Sequence, residues 1–153
     1  MASAVAIAAV SALEPVRGAS MQTRAIPKSN EHIPVIGLEA LDFIQLPYSL
    51  ADRSAEQRLL PAARDSGTAV LVMRPFAEGA LFRAVKNKSL PPWAAEFDCT
   101  SWAQFFLKFI LSHPAVTAPI PATSNPDHVS DNVRAASGRL PTAEQRRKML
   151  AVL

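Results

Sequence analysis

Three short apolar segments, separated by stretches with helical patterning, constrain the fold of this chain more than any other feature. The segments are Leu41–Leu46, Thr68–Met73 and Val116–Ile120. Thr68–Met73 shows no polar alternation, which is typical of a parallel strand covered on both faces. Because a helix is predicted between each pair of strands, the order predicts an α/β protein with a parallel sheet.

Capping signals indicate where the helices begin. Hydroxyl residues followed three positions later by Gln form capping boxes at Ser54–Gln57, Ser101–Gln104 and Thr142–Gln145, and Asn125 precedes Pro126 in the pattern of a capped start. Pro61 predicts a kink or a later start in the first helix, which runs toward Gly67. In the helix predicted over Trp102–His113, apolar residues at helical spacing predict a core stripe: Trp102, Phe105, Phe106, Phe109 and Ile110.

Composition excludes several classes of function. The chain has 153 residues, of which 49% are hydrophobic and 19% charged, as expected for one globular core. Its net charge is +3, but the one basic cluster, Arg146–Lys148, is interpreted as a solvated helix face, so no nucleic-acid partner is predicted. The single cysteine, Cys99, excludes an internal disulfide and is interpreted as a packed residue, and no metal site is predicted.

The N-terminal residues divide into two segments. Residues 1–20 form an apolar leader that resembles the hydrophobic region and cleavage zone of a secretory signal but lacks its charged start. The leader is too short to span a membrane. It is either a signal remnant, which implies a periplasmic or secreted protein, or a plain extension of a cytoplasmic one. Residues 21–38 predict a small hairpin, and residues 39–153 carry the strand-helix units.

The stretch IPATSNPDHVSDN, residues 120–132, combines a strand end, a polar turn and a helix start. Thr123, Ser124 and Asn125 offer short polar side chains, and the helix that starts at Pro126 presents free N–H groups and the positive end of its dipole. His128 adds charge when it is protonated. The stretch is either a phosphate site of a dinucleotide or an ordinary capped turn.

Four segments carry a resemblance to a known family: LDFIQLPYSLADRSAEQRLLPAARDSG, AVLVMRPF, SWAQFFLKFILSHP and IPATSNPDHVSDN. In order and spacing, residues 21–153 resemble the aldo/keto reductase superfamily. That family folds as an eight-stranded (β/α) barrel, binds NADPH and transfers hydride to aldehydes or ketones. The resemblance implies an α/β fold, a partial (β/α)8 TIM barrel that corresponds to roughly the C-terminal half of the family barrel.

The resemblance also implies a cofactor site. Gln45 is expected to hold the nicotinamide carboxamide, and Met73, followed by Arg74, stands where many relatives stack a tyrosine on the nicotinamide. The adenosine phosphate end is expected at Thr123, Ser124, His128, Asp131 and Asn132. Many relatives place an arginine for the 2′-phosphate where this chain has His128, and a histidine is mostly neutral at pH 7. NADPH is therefore the expected cofactor, with NADH not excluded.

The catalytic half of the family pattern has no counterpart. A closed barrel needs roughly 250 residues, and the segments that carry the family's catalytic Asp, Tyr, Lys and His are missing. The one tyrosine, Tyr48, follows the sixth family strand rather than occupying the position of the general acid. No catalytic residue is therefore assigned, and we expect this chain alone not to reduce carbonyls.

Three interpretations remain open from the sequence. The chain is a reductase by family, a noncatalytic dinucleotide-binding or partner-completed half barrel, or the product of a decayed gene. A half barrel exposes sheet edges and apolar surface, so self-association is a further expectation. Because the final strand and helix alone form the phosphate subsite, adenosine 2′,5′-bisphosphate is expected to bind about as well as NADPH.

Overall fold

The computed structural model describes residues 23–25, 32–34 and 42–153, in two compact units divided between Ala40 and Leu41. In the first unit, strands β1 (Thr23–Ala25) and β2 (His32–Pro34) pair antiparallel. This pairing confirms the predicted hairpin. The leader, residues 1–20, lies outside the described residues.

The second unit alternates strands and helices along the chain, which confirms the predicted α/β class. Its strands are β3 (Phe43–Pro47), β4 (Ala69–Met73) and β5 (Ala118–Pro119). Its α-helices are α1 (Leu59–Ser66), α2 (Ala80–Ala84), α3 (Trp102–Leu111), α4 (Pro126–Arg134) and α5 (Ala143–Leu150). Short 3₁₀ turns lie at Ser54–Glu56, Ala77–Gly79 and Pro92–Phe97.

The strands of the second unit form a parallel sheet in the order β3-β4-β5. One face is buried, since Leu46, Val70 and Val72 are at most 4% exposed. On the other face Phe43 is 63% exposed and Gln45 is also exposed. The prediction that both faces of Thr68–Met73 are covered is confirmed for one face, whereas on the other face of β4 Ala69, Leu71 and Met73 are only partly buried, because the helices pack on one face and the other needs side chains from further strands.

Helix α3 forms the centre of the core. Phe105, Phe106, Phe109 and Ile110 are at most 1% exposed, which confirms the predicted apolar stripe. Burial of each such side chain contributes roughly 1.5–3 kcal/mol to stability. Cys99 is also buried, as predicted, and its burial raises the pKa of the thiol to about 11. The aromatic residues of α3 therefore fix the helix on the sheet.

Two of the predicted helix starts have the expected caps. Thr142 and Gln145 form a complete capping box at the start of α5. At α4 the Asn125 side chain accepts a hydrogen bond from the Asp127 N–H at 2.9 Å, and Pro126 occupies the first turn. These starts depend only on neighbouring residues, which is why sequence patterns identify them.

The capping boxes predicted before α3 and α1 differ from expectation. Ser101 caps α3 by accepting from the Gln104 N–H at 3.1 Å, but the Gln104 side chain binds Thr100 instead of reaching back to Ser101. Ser54 caps no helix, because its hydroxyl donates to Asp52 at 2.7 Å. Helix α1 begins later, with Pro61 in its first turn, as one of the two outcomes predicted from that proline.

Helix α5 is fixed to the core by a partly buried arginine. Arg146 donates to Tyr48 at 2.9 Å and to Glu56 at 3.0 Å, and it also binds Ser112 and the carbonyl of Phe109. Its side chain is 16% exposed. The predicted solvated face is therefore right for Arg147 and Lys148 but wrong for Arg146, whose partners come from distant parts of the chain.

Candidate functional site

A cleft of about 480 Å³ opens beyond the carboxyl ends of β4 and β5. It lies between the segment that follows β4, the first turn of α3, and the turn that leads from β5 into α4. Ligand sites of α/β proteins gather at this edge of the sheet. Its walls are formed by Phe76, Gly79, Phe82, Ser101, Trp102, Ala103, Ala122, Thr123, His128, Asp131 and Asn132.

The turn into α4 forms the polar side of the cleft. The Thr123 hydroxyl accepts from the Asn125 N–H at 3.2 Å, and its oxygen lies 3.5 Å from Nδ1 of His128. The start of α4 directs its first N–H groups and its dipole toward this turn. The arrangement can hold an anionic group beside the His128 ring.

Asp131 and Asn132 lie one turn further along α4 and have different environments. The Asp131 carboxylate accepts two short hydrogen bonds, from Ser101 Oγ and Gln104 Nε2, each at 2.6 Å. Asn132 is 9% exposed, and it lines both this cleft and a neighbouring cavity beside β5. Asp131 therefore ties α4 to the start of α3, whereas Asn132 lies at the wall of the cleft.

Three aromatic residues form the apolar wall of the cleft, and sequence reasoning missed this role for all of them. Phe76 and Phe82 lie 4.9 Å apart between ring centroids, and Trp102 stacks on Phe106 at 5.8 Å. Trp102 was assigned to the core by its helical spacing. Trp102 is the first residue of α3, and helix starts in such proteins face the ligand edge of the sheet. This position is the sequence signal that indicates a place at the cleft.

The backbone between β4 and α2 is strained beside this wall. Arg74, Ala77 and Glu78 have φ values of 55°, 48° and 53°, in the left-handed region that non-glycine residues rarely adopt. Arg74 pairs with Glu78 at 2.7 Å, and both side chains are more than half exposed. Arg74 therefore lies outside the lining of the cleft. Strain of this kind clusters at ligand sites.

The remaining predicted site residues are placed apart from the cleft. Gln45 and Met73 lie near each other on the open face of the sheet, with Nε2 of Gln45 3.6 Å from the Met73 sulfur. Ser124 is exposed and does not line the cleft. The structure thus brings Thr123, His128 and the Asp131–Asn132 pair together and leaves the other four predicted residues elsewhere.

Tyr48 has the environment of a structural residue. Its ring is fully buried against Phe109 and His113, and its hydroxyl donates to Glu56 at 2.5 Å. Burial, followed by the hydrogen bond to Glu56, raises the pKa of Tyr48 well above its ordinary value. A general acid needs a pKa that is lowered toward the working pH. Tyr48 is therefore a packed residue whose pKa is shifted away from the value that a general acid needs.

Two findings concern other classes of site. Within the described ranges no helix is both long and apolar enough to cross a membrane. Among the same residues no group of three or more His, Cys, Asp or Glu side chains is arranged to hold a metal ion.

Comparisons with known proteins agree with the fold. Residues 32–148 match the family model described as aldo/keto reductase family. An uncharacterized oxidoreductase of Schizosaccharomyces pombe is 30% identical over 115 residues, which are 75% of this chain and 34% of the relative. The NADH-specific methylglyoxal reductase of Escherichia coli is 27% identical over 130 residues, 68% of this chain and 40% of that enzyme.

A solved structure extends the likeness to three dimensions. The aldo/keto reductase of Klebsiella pneumoniae, in complex with NADP and acetate, superposes with a TM-score of 0.59 at 26% identity. The match covers 70% of this chain and 38% of that protein. The fold is therefore part of a TIM barrel, as predicted, and the chain spans about two fifths or less of the relatives that it matches.

Proposed function

Because the chain belongs to the aldo/keto reductase family, we propose that it binds a nicotinamide dinucleotide as the cofactor-binding part of an oxidoreductase that acts on aldehydes or ketones. The adenosine end of the cofactor occupies the cleft between α3, α4 and the segment after β4. The phosphates lie toward the first turn of α4, where N–H groups and the helix dipole favour anions.

One observation carries this proposal. Thr123, His128, Asp131 and Asn132, which sequence reasoning assigned to the adenosine end, lie around a single cleft. Asn132 exposes little surface at the wall of this cleft, and an amide side chain can offer a ligand both a donor and an acceptor. The grouping of these four residues beside the first turn of α4 is therefore what supports a dinucleotide.

The identity of the dinucleotide is part of the proposal. The relative from Klebsiella pneumoniae was solved with NADP, whereas the relative from Escherichia coli is specific for NADH. In this chain Ser124 and Arg74 stand outside the cleft, and His128 is the ionisable base at its polar side. Both cofactor forms are therefore candidates, and the nicotinamide end extends toward Gln45 and Met73.

We also propose that the chain alone does not reduce carbonyls. Reduction needs a general acid beside the hydride acceptor. Tyr48 does not suit this role, because it is buried, its hydroxyl is bound to Glu56, and its pKa is raised. A second candidate function is a dinucleotide-binding half barrel that a partner completes. The open sheet face, with Phe43 63% exposed, favours that candidate.

A fluorescence titration of the purified chain with NADH and NADPH tests the binding proposal, with circular dichroism to establish folding. We expect saturable binding, and Asn132→Ala should weaken it about tenfold by removing the amide at the wall of the cleft. Ser130→Ala, an exposed position on the same helix, is the matched control and should bind like the parent. A folded chain without saturable binding would overturn the proposal.

Two further assays address activity and assembly. Carbonyl-dependent oxidation of NADPH by the pure chain would contradict the proposed lack of catalysis. In size-exclusion chromatography a discrete dimer would support completion by a partner, and material in the void volume would support the decayed-gene interpretation.

A further inference from the structure

Among the described residues the parallel sheet ends at β3 on one side and at β5 on the other, and only one of these edges can accept a further strand. Strand β5 has two residues, Ala118 and Pro119. Ile120 donates its N–H to Val72 of β4 at 2.8 Å, so the prolines on either side of it, Pro119 and Pro121, face the outer side. A proline has no N–H to donate, and prolines at such positions protect a sheet edge from pairing. The β5 edge is therefore closed.

The β3 edge has the opposite character. Asp42 accepts a hydrogen bond from the Ala69 N–H of β4 at 2.8 Å, and every second residue of a parallel strand faces the same neighbour. The N–H and C=O groups of Phe43 and Gln45 consequently point to the outer side, where no strand of the described residues pairs with them. Both side chains are exposed, and β3 carries none of the charged residues that commonly protect an edge.

The outer side of β3 is complementary to a second copy of itself. In an antiparallel pair with Ile44 opposite Ile44 of the other copy, Phe43 lies opposite Gln45. Each of these two residues then exchanges N–H and C=O with the other, so every donor and acceptor from Phe43 to Gln45 on this side has a partner. A register centred on Gln45 instead sets Phe43 opposite Pro47, which has no N–H for the Phe43 carbonyl. The donors therefore favour the register centred on Ile44.

The side chains suit the same arrangement. The two-fold axis of this pair is perpendicular to the sheet, so the helices of both copies lie on one side of it. On that side Ile44, which is only partly buried against the core of a single copy, meets Ile44 of the other. On the open side the Phe43 ring lies directly across from Gln45. Both contacts remove apolar surface from water.

We infer that two copies of this chain join through the outer edge of β3, which unites their three-stranded sheets into one continuous sheet with an antiparallel pair at its centre. The contact is the same patch on both copies, and the prolines close the remaining edges, so the assembly stops at two copies. The inference names the partner and the contact for the second candidate function, and it does not require that the cleft binds a nucleotide.

Sedimentation velocity of the full chain tests the inference. A small interface built on one strand pair gives weak affinity, so we expect a reversible change from monomer to dimer between about 1 μM and a few hundred micromolar. A chain that stays monomeric throughout this range, or that forms large assemblies without a discrete dimer, overturns the inference.

Two double variants at the exposed positions test the register. Phe43→Glu with Gln45→Lys sets opposite charges across from each other in the inferred register, whereas Phe43→Lys with Gln45→Lys sets like charges there. We expect the second variant to dimerise about tenfold more weakly than the first, because charges directly opposite on a sheet interact strongly. Equal dimer affinities in folded variants, with circular dichroism to establish folding, would contradict the register.

Val133→Lys is the matched control. Val133 is an exposed apolar side chain of α4 beside the β5 edge, and its replacement should leave the dimer unchanged. Loss of the dimer in this variant would place the interface at α4 and overturn the inference. Hydrogen exchange of the unaltered chain needs no variant, since the Phe43 and Gln45 amides should become more protected as the dimer forms. Unchanged exchange of these amides in a dimeric chain would also overturn it.

Titration with AMP, which probes the proposed adenosine end alone, measures the proposed function separately. A monomer that binds AMP overturns this inference and leaves the proposed function standing. A dimer that meets the tests above but binds no nucleotide supports this inference and overturns the proposed function.

Discussion

The two ends of the proposed cofactor path differ in how the protein builds them. The proposed adenosine end is a walled cleft whose lining residues all lie between Phe76 and Asn132. The proposed nicotinamide end is at Gln45 and Met73, on a sheet face where Phe43 is 63% exposed. One end is therefore enclosed by the described residues, and the other is open.

The cause of this difference is topological. A turn that joins a strand to the next helix forms a pocket with its own neighbours, so one or two units suffice for the adenosine end. The interior of a (β/α) barrel is filled by side chains from alternate strands all around the circle. Three adjacent strands cannot supply those layers. Part of the fold is therefore enough to form a site for an anion and a base, whereas hydride transfer requires side chains from the complete barrel.

The largest expected effect separates the stability of the fold from the function of the cleft. Arg146→Ala removes a partly buried guanidinium that binds Tyr48 and Glu56, and it leaves the Glu56 carboxylate beside Tyr48 without its opposite charge. We expect a loss of about 3 kcal/mol in the free energy of unfolding, measured in urea. The affinity of the remaining folded protein for AMP should not change, because the cleft lies elsewhere.

Arg147→Ala is the matched control for that change. Arg147 is exposed on the same helix, and its replacement should alter stability by less than about 0.5 kcal/mol. Equal losses for the two variants would show that the buried network contributes nothing specific. A large loss of AMP affinity in folded Arg146→Ala would contradict the separation of the two regions.

A smaller effect is expected from Asp131→Ala, which acts on the cleft itself. The carboxylate joins α4 to the start of α3 through Ser101 and Gln104, and charge-assisted hydrogen bonds of this kind contribute about 2 kcal/mol. We expect that loss of stability together with weaker AMP binding, because the wall formed by Trp102 is released from α4. Urea unfolding and calorimetry measure the two effects.

Asp127→Ala provides the control, since Asp127 is an exposed residue in the first turn of α4. It should cost no more than about 1 kcal/mol, the contribution of a carboxylate to the helix dipole. If Asp131→Ala leaves both stability and AMP affinity unchanged, the connection between the helices has no role in shaping the cleft.

Sequence patterns predicted the parts of the molecule that depend on near neighbours. The order of strands and helices, the cap at Asn125 and the capping box at Thr142 each arise from contacts within a few residues. Four of the residues that line the cleft, Thr123, His128, Asp131 and Asn132, were also predicted, because they lie in one continuous turn and helix. The ligand proposed for these residues came from the family resemblance.

The contacts that the sequence did not predict join distant segments. Arg146 looked like part of a basic surface because its partners, Tyr48 and Glu56, are about ninety residues away along the chain. Trp102 fits a core stripe by spacing, and its position at the cleft depends on Phe76 and Phe82 from an earlier segment of the same unit. Periodicity shows which residues share a helix face but not what lies opposite that face.

The smallest expected effect tests the open end directly. Gln45→Ala removes the side chain that the family resemblance assigns to the nicotinamide, from an exposed position on the open sheet face. Because a lone exposed amide competes with water for its hydrogen bonds, we expect NADH to bind within about threefold of the parent and AMP to bind unchanged. The matched control is Gln57→Ala, which replaces an exposed glutamine elsewhere in the chain and should leave the binding of both nucleotides unchanged.

A tenfold loss of affinity for NADH alone in Gln45→Ala would show that the chain assembles its nicotinamide end, through self-association or residues beyond those described. The contrast between an enclosed and an open end would then be a property of the isolated chain rather than of the working protein.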